Sequence, residues 1–397
     1  MSAGKGEAGG SAESQASAPS DPALEELLRS ASKAGPPELG EETAQDYFPA
    51  RAEIEYAEGF TVNYHKNYKV VRVTRPRPEA TRTFTYLLVQ RGTPVPRGYS
   101  NALVIRVPVK RFVSMGSAYL ASMVLLESLE TLVGVDKYGY VTSSKVWEMI
   151  ESGEVAEITP EERPDMGMLL DLSPDLVMTA SVGGEWDFHD WMMELNMPVV
   201  INGEWVETHP LGRAEWMKFI ALFLNKEEEA KELFDYIESE YLRLKSLASG
   251  ETPTVFTGTP YRGTWGVPGG ESYMARLIED AGGDYLFSER EGTGSVQLPV
   301  EEVLEKAADA DVWINAGWGW ETFSDALEAD ERFAELNAFQ TGRVYTNEKR
   351  VTAAGSNDYW ETGVTVPSLI LADLIRIFHP ELLPDHEFYF YEKLVWE

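Results

Sequence analysis

From Arg111 onward, strand-like segments alternate with helix-like segments, and this alternation limits the possible folds more than any other feature of the sequence. RFVSMG is typical of a strand and turn, AYLASMVLLESLET of a helix with one apolar face, and LVGVD of the next strand. Further on come the apolar run LVMTA, the helical segment DFHDWMMELN and the strand PVVIN. Strands separated by helices predict parallel α/β units.

The same pattern returns after Gly250. Three positions recur about 140 residues later, with Val113 matched by Val255, Asp175 by Asp311 and Val199 by Val344. Residues 226–249 lie between the two copies, and Lys226–Ala248 predict a single helix about 34 Å long, at about 1.5 Å per residue. We therefore predict an α/β fold in which two lobes of similar parallel-sheet topology are joined by one long helix.

The chain before Arg111 differs in composition. Its first 21 residues are rich in Gly, Ala, Ser and Glu, which predicts a flexible tether because such residues cannot bury a core. FTVNYHKNYKVVRVTR, RTFTYLLVQR and NALVIRVPV alternate like strands of an antiparallel sheet. The predicted organisation is a flexible tether (1–51), a β-rich N-terminal extension (52–110), an N-terminal lobe (111–225), the linking helix (226–249) and a C-terminal lobe (250–397).

Charge and composition exclude several classes of function. With 34 Lys and Arg against 66 Asp and Glu, the chain has a net charge of −32. Such a surface repels phosphates, so we expect neither a nucleic-acid binder nor a membrane-surface binder. The absence of cysteine excludes disulfides, Fe–S clusters and thiol nucleophiles. No apolar run is long enough for a membrane span.

Catalytic motifs are not found. The sequence contains no GxxxxGK[ST], GxSxG or HExxH motif, and its five histidines are too few for a His-rich metal buffer. One alternative stays open, a metal-dependent hydrolase or other enzyme in which His189 and His209 converge with Glu185, Asp187 or Glu207. We expect instead no catalytic residues, no cofactor and no bound metal.

Aromatic residues gather in the loops that connect strands to helices, where ligands of open α/β sheets bind. Their broad apolar faces and single polar groups suit a large, flat, partly apolar ligand. The alternative for any one of them is a place in the lobe core. The candidate ligand-binding residues are Tyr119, Tyr138, Trp186 and Trp205 in the first half, and Tyr261, Arg262, Trp265, Trp318, Trp320, Tyr359 and Trp360 in the second.

Several segments in a fixed order carry a family resemblance: RFVSMGSAYLASMVLLESLETLVGVD, LLDLSPDLVMTA, PVVINGEW, GRAEWMKF and GGESYMARLIEDAGGDYLF. From Arg111 to the C-terminus the chain resembles the periplasmic substrate-binding proteins of ABC importers, of the helical-backbone type that captures ferric siderophores, haem and vitamin B12. The resemblance implies a non-enzymatic monomer with a ligand cleft between its lobes and modest closure. The extension before Arg111 is not part of the family pattern.

The resemblance also implies partners and a location. Family members present one glutamate on each lobe to arginines of the membrane permease, and the matching positions here are Glu185 and Glu301, with Glu207 as a competitor for the first. We expect an exported protein, periplasmic or at the cell surface, held by a lipid anchor on a residue that this sequence does not contain.

The ligand class follows from the balance of aromatic and cationic residues. The cations near the predicted cleft are few: Arg262, Lys349 and Arg350. Together with the negative net charge, this favours a neutral or cationic metal chelate such as a corrinoid, with a ferric siderophore next. An unrelated organic solute is a third possibility, because aromatic loops would serve it equally well.

Overall fold

The structure is a computed structural model that describes residues 45–184 and 187–396. The strands are β1 (Phe60–Tyr64), β2 (Tyr68–Val73), β3 (Phe84–Gln90), β4 (Leu103–Val107), β5 (Phe112–Ser114), β6 (Leu132–Val135), β7 (Ala156–Glu157), β8 (Leu176–Thr179), β9 (Val199–Ile201), β10 (Thr254–Thr257), β11 (Pro260–Tyr261), β12 (Thr264–Pro268), β13 (Asp284–Tyr285), β14 (Ser295–Pro299), β15 (Val312–Ile314), β16 (Tyr345–Thr346) and β17 (Glu392–Lys393).

The helices are α1 (Ala118–Leu125), α2 (Ser144–Glu151), α3 (Met166–Leu172), α4 (His189–Glu194), α5 (Pro210–Leu224), α6 (Glu227–Leu247), α7 (Tyr273–Asp280), α8 (Val300–Lys306), α9 (Phe323–Ala329), α10 (Asn337–Gln340), α11 (Thr362–Thr365) and α12 (Pro367–Phe378). Short 3₁₀ turns lie between several of them. None of the helices that the structure describes has the length and apolar character needed to cross a bilayer.

Two parallel sheets define two lobes, which confirms the predicted fold class. The first lobe is built on a five-stranded sheet of order β7-β6-β5-β8-β9, and the second on β13-β10-β15, which Val344 extends by a parallel bridge to Trp313. Two smaller antiparallel sheets, β11-β12-β14 and β16-β17, complete the second lobe. The strands β5, β9 and β15 are buried throughout, and β8 is buried except at Thr179, as expected for parallel sheets covered on both faces.

The repeated aspartates occupy matching places in the two sheets. The Asp175 carboxylate accepts the backbone N–H of Lys110 (2.8 Å) beside the start of β5. The Asp311 carboxylate accepts the backbone N–H of Thr254 (2.8 Å) at the start of β10. Each aspartate therefore ties the beginning of a central strand to the loop that enters the neighbouring strand.

The linking helix predicted over residues 226–249 corresponds to α6, and a second helix, α5, comes directly before it. Asn225 adopts a left-handed conformation (φ 55°) and separates α5 from α6, the latter covering most of residues 226–249. Nearly every residue of α5 is buried. It packs against α1 of the first lobe and against α7, α11 and α12 of the second. The helix that lies between the lobes is therefore α5.

The N-terminal extension forms a four-stranded sheet of order β1-β2-β3-β4. The prediction of antiparallel pairing is correct for β1–β2 and β2–β3 and wrong for β3–β4, which is parallel. A parallel neighbour needs a crossover connection, and residues 91–102 supply one that passes over the outer face of the sheet. The inner face shares one hydrophobic core with the first lobe.

The extension also covers the edge of the first-lobe sheet. The edge strand β9 has a backbone N–H at Ile201 that donates to the Tyr86 hydroxyl (2.8 Å). Arg91 forms an ion pair with Asp175 (2.6 Å). Because open sheet edges expose unpaired backbone groups, this cover protects the lobe from pairing with other chains.

Buried carboxylates hold the extension to the inter-lobe helix. Glu215, fully buried in α5, accepts the backbone N–H groups of Glu55 (3.0 Å), Tyr56 (2.8 Å) and Ala57 (2.8 Å). It also accepts Lys218 Nζ at 2.8 Å. Hydrogen bonds to a charged group are stronger than neutral ones, and here they replace the hydration that burial removes.

Lys69 makes the equivalent connection from β2. Its ammonium donates to Glu227 (2.5 Å), to Asn225 Oδ1 (3.0 Å) and to the Leu222 carbonyl (2.5 Å). Burial lowers the pKa of Lys69 to about 8, and Glu227 opposes that shift. The extension is thereby fixed at the break between α5 and α6.

Replacing Glu215 tests this attachment. We expect Glu215→Ala to lower the free energy of unfolding by about 3–5 kcal/mol, because it leaves Lys218 and three backbone N–H groups buried without an acceptor. Urea unfolding followed by circular dichroism measures the loss. Glu232→Ala, on the exposed face of α6, is the control and should change stability by less than about 0.5 kcal/mol. Equal stability of the two variants would contradict the interpretation.

Candidate functional site

Loops that follow the strands of the two sheets meet at the junction between the lobes. Both polar groups of Thr142, which lies in the segment after β6, bind the second lobe. Its backbone N–H donates to Glu361 (2.9 Å) and its hydroxyl to Asp358 (3.0 Å). The Ser356 hydroxyl in turn donates to the Gly139 carbonyl. These contacts join the two lobes.

Arg213, in the first turn of α5, links the two lobes. Its Nε and Nη2 lie 2.8 and 2.7 Å from one carboxylate oxygen of Glu204, which follows β9. Its guanidinium carbon lies 4.7 Å from the ring centroid of Tyr273, the first residue of α7. Burial lowers the pKa of Arg213, but Glu204 outweighs burial and the net shift is upward. The pair is therefore a charged but locally neutral group between the lobes.

Two buried hydrogen-bond donors lie near the Arg213–Glu204 pair, one next to Glu204 in the sequence and the other next to Arg213 in space. The indole Nε1 of Trp205 and the hydroxyl of Tyr273 have no hydrogen-bond partner within residues 45–184 and 187–396. Trp205 follows Glu204, and the ring of Tyr273 faces Arg213. Buried polar groups are rarely left unpaired in folded proteins, so a bound molecule with acceptor atoms is a natural partner for them.

Trp318 is displayed by a tight loop after β15. Gly317 and Gly319 both have positive φ (57° and 71°), and a side chain at Gly317 would overlap the ring of Trp320. The two glycines let Trp320 fold inward against Trp313 (5.8 Å between ring centroids). They leave Trp318 turned outward and 73% exposed.

A second aromatic residue pairs with Trp318. Tyr261 ends β11, and its ring centroid lies 6.2 Å from that of Trp318. Arg262 and Gly263 have φ of 52° and 86°, which are the values of a type I′ hairpin between β11 and β12. The Arg262 guanidinium lies 5.0 Å from the Tyr261 ring. Together Tyr261, Arg262 and Trp318 form an exposed aromatic wall on the second lobe.

Trp360 lies next to the contact between the lobes. It is 51% exposed, and its ring packs edge-on against buried Tyr359 at 4.8 Å. Tyr359 in turn contacts Met274 of α7. This places an exposed indole one residue from Glu361 and its hydrogen bond to the first lobe.

The other sequence-predicted residues differ in exposure. Trp265 is fully buried, donates its indole N–H to the Thr257 carbonyl (3.1 Å) and lies in the core of the second lobe, as Tyr359 does. Tyr119 is also buried, while Tyr138, Trp205 and Trp320 are partly buried. Trp186 lies outside the described residues. Pattern alone does not separate these residues, because loop aromatics both close cores and line clefts.

Sequence reasoning missed Arg213, Glu204 and Tyr273. One signal was available, since a charge within a helix that is apolar on every side must be buried and needs a partner. The expected cations Lys349 and Arg350 are both engaged within the second lobe. Lys349 Nζ donates to the Phe388 carbonyl, and Arg350 Nε to Asp358 (2.7 Å).

The residues of the enzyme alternative do not come together as a metal site. His189 pairs with Asp187, and His209 accepts the Leu211 N–H (3.1 Å) as the N-cap of α5. The two histidines line different cavities. Within the described residues, no three histidine or acidic side chains are grouped so that they could hold a metal ion.

The glutamates expected to dock on the permease differ in their exposure. Glu301, in the first turn of α8, has a side chain that is 77% exposed and 3.3 Å from Arg332. Glu185 lies outside the described residues. The competitor Glu207 is buried, where it accepts the Trp216 indole N–H (2.9 Å) and the Gly59 N–H (2.8 Å). Glu207 therefore binds the extension and offers no surface for docking.

The carboxyl of Glu361, at the contact between the lobes, has a raised pKa. Burial raises its pKa to about 7 against the hydrogen bonds from Thr142, which favour the charged form, and the nearby carboxylate of Asp358 adds a smaller upward shift. A native carboxyl with a raised pKa contributes stability that is present below about pH 4.5 and is lost as the pH rises through about 7. The contact between the lobes is therefore sensitive to pH near neutrality.

Glu361→Gln should remove this dependence. Between pH 4.5 and 8 we expect wild-type stability to fall by roughly 2–3 kcal/mol relative to the variant, because only the wild type must ionise a buried carboxyl. Urea unfolding at both pH values gives the difference, with Glu151→Gln on α2 as an exposed control. Parallel pH profiles of the wild type and Glu361→Gln would refute the assignment.

Comparison with known proteins agrees with this geometry. The periplasmic binding protein family matches residues 113–351. Two lipoproteins of Methanocaldococcus jannaschii are 29% and 27% identical over 78% of this chain, and cover 75% and 80% of their own lengths.

Solved structures share the fold at low identity. A periplasmic binding protein from Veillonella parvula has a TM-score of 0.57 at 12% identity, covering 81% of this chain and 98% of its own. An Fe³⁺-hydroxamate transport protein from Saccharomonospora viridis (0.53, 14%) covers 68% and 94%, and a periplasmic haem-binding protein from Roseiflexus (0.52, 20%) covers 69% and 99%. The chain belongs to the periplasmic binding protein family, whose members bind solutes and are not enzymes.

Proposed function

We propose that this solute-binding protein captures a metal chelate between its lobes and delivers it to an ABC importer. The observation that carries the proposal is the combination of an exposed aromatic wall with unpaired hydrogen-bond donors at the lobe junction. The wall suits the flat apolar surface of a chelate, and the donors suit oxygen atoms at its periphery.

The charge of the site favours a neutral ligand. Arg213 is balanced by Glu204, and the donors of Trp205 and Tyr273 are uncharged. Arg262 of the aromatic wall is then the one cation of this proposed site without a carboxylate partner among the described residues, so a strongly anionic chelate would be poorly balanced, whereas amide or hydroxamate oxygens would find donors. We propose a corrinoid or a neutral ferric hydroxamate. Structural neighbours named for Fe³⁺-hydroxamate transport and for haem binding support this class of cargo.

We propose that the protein works outside the cytoplasm on a lipid anchor. The family is periplasmic, and two relatives of similar length are named lipoproteins. An anchor would keep the binding protein close to the permease and raise its effective concentration there.

Tyr273→Phe separates a ligand role from a structural one. The hydroxyl has no partner in the described part of the chain, so its removal should leave thermal stability unchanged. If a chelate oxygen accepts this hydroxyl, affinity falls by roughly 5–10-fold. Isothermal titration calorimetry with cobalamin, cobinamide, haem and ferrichrome measures the affinity. Unchanged affinity for a chelate that binds the wild type would remove Tyr273 from the site.

Trp318→Ala tests the aromatic wall in the same titrations. We expect at least a tenfold loss of affinity, because stacking on an exposed indole contributes about 1–3 kcal/mol. Tyr236→Ala on α6 is the matched control, since Tyr236 is 70% exposed and far along the chain from the cleft loops. If no chelate binds the wild type but an unrelated organic solute does, the chelate proposal fails.

Charge reversal at Glu301 tests whether this residue docks on the importer when the ligand is delivered. With the importer reconstituted in vesicles, we expect Glu301→Arg to lower stimulation of ATP hydrolysis by the loaded binding protein several-fold, and more at low salt than at high salt. Glu381→Arg, exposed after α12, is the control. Equal stimulation by both variants would exclude Glu301 from the docking surface.

A further inference from the structure

Charge is divided very unevenly along this acidic chain. Residues 60–107, the four strands of the extension and their connections, hold nine Lys and Arg and one acidic residue, Glu79. Their net charge is +8, whereas the other residues of the chain sum to −40. The overall value of −32 conceals a basic extension joined to acidic lobes.

The basic residues of the extension fall into two groups. Four of them, Lys69, Arg75, Arg82 and Arg91, form ion pairs with acids that lie outside residues 60–107. The pairs of Lys69, Arg82 and Arg91 fasten the extension to the rest of the protein, whereas Glu58, the partner of Arg75, belongs to the extension itself. The others have no carboxylate partner within the part of the chain that the structure describes: Lys66, Arg72, Arg77, Arg97 and Arg106.

Three of the unpaired cations, Arg72, Arg97 and Arg106, lie on the side of the sheet that faces away from the lobes, and Lys66 lies at the end of the same sheet. Arg72 is on the same face of β2 as Tyr68 and Val70, which belong to the outer hydrophobic cluster. Arg106 pairs in register with Val89 of that cluster, and Arg97 lies in the crossover above it. Lys66 lies in the β1–β2 turn. We call Lys66, Arg72, Arg97 and Arg106 the outer basic face.

The outer basic face has no exposed large apolar side chain beside it. Among the described residues, the large exposed hydrophobic side chains all lie outside residues 60–107. Threonine and asparagine share the face instead, at Thr61, Asn63 and Thr85. A surface of this kind suits electrostatic contact with an anionic partner. It lacks the large apolar side chains that would insert into an apolar partner or a bilayer core.

We propose that the outer basic face lies against anionic lipid headgroups of the membrane. The inference rests on the proposed lipid anchor, which would hold the protein beside the bilayer. Each basic side chain near an anionic bilayer adds modest affinity, and tethering makes such affinity effective. The acidic lobes are repelled from the same surface, so the contact also orients the cleft.

Co-sedimentation with vesicles tests the proposal on the full chain. At 20 mM NaCl we expect binding to phosphatidylcholine vesicles that contain 30% phosphatidylglycerol, no binding to pure phosphatidylcholine, and loss of binding at 300 mM NaCl. The variant Arg72→Glu/Arg97→Glu should bind the anionic vesicles at least tenfold more weakly.

The control is a second double variant that changes the net charge by the same amount at a different place on the protein. Lys231→Glu/Arg243→Glu, on the exposed face of α6, should bind the vesicles nearly as well as the wild type. Equal loss in both double variants, or no binding to anionic vesicles at 20 mM NaCl, would overturn the proposal. Salt-sensitive self-association of the wild type that is lost in Arg72→Glu/Arg97→Glu would also overturn the proposal. The outer basic face would then bind the acidic lobes of a second copy. Chelate titration of Arg72→Glu/Arg97→Glu should match the wild type, so failure here is distinct from failure of the proposed function.

Discussion

Buried carboxylates that accept backbone N–H groups are the interaction on which the arrangement of this protein depends. Glu215 and Glu207 each bind the chain that leads into the extension, and Glu227 binds Lys69 at the break between α5 and α6. A buried charge is tolerated only when it is fully paired, so these contacts specify one position for the extension. Glu215 lies in the helix that separates the lobes, and Glu207 and Glu227 lie just before and just after that helix.

The sequence predicts the frame of the fold because its signals are local. Alternation of apolar strands and helices, repeated with Asp175 and Asp311 at matching places, is enough to give two parallel-sheet lobes. The parallel pairing of β3 with β4 and the position of α5 between the lobes were not predicted. Both depend on tertiary contacts: a crossover that covers the outer face, and one left-handed residue at Asn225.

The site was predicted less well than the fold for a physical reason. Aromatic residues after strands identify the right loops, and Trp318, Tyr261 and Trp360 are exposed there. Trp265 has the same sequence context but fills the core. Arg213 and Tyr273 lie more than fifty residues apart in the chain and meet only because α5 and α7 pack together. Convergence of this kind has no local signature.

The loop Gly317–Trp320 has a consequence for the thermodynamics of capture. Its two left-handed glycines, the inward anchor of Trp320 and the hydrogen bond from the Gly319 N–H to Glu348 (2.6 Å) fix the backbone before any solute arrives. An indole presented on an ordered loop loses little conformational entropy on binding. If a cargo stacks on Trp318 as proposed, it therefore meets a surface that already has its working shape.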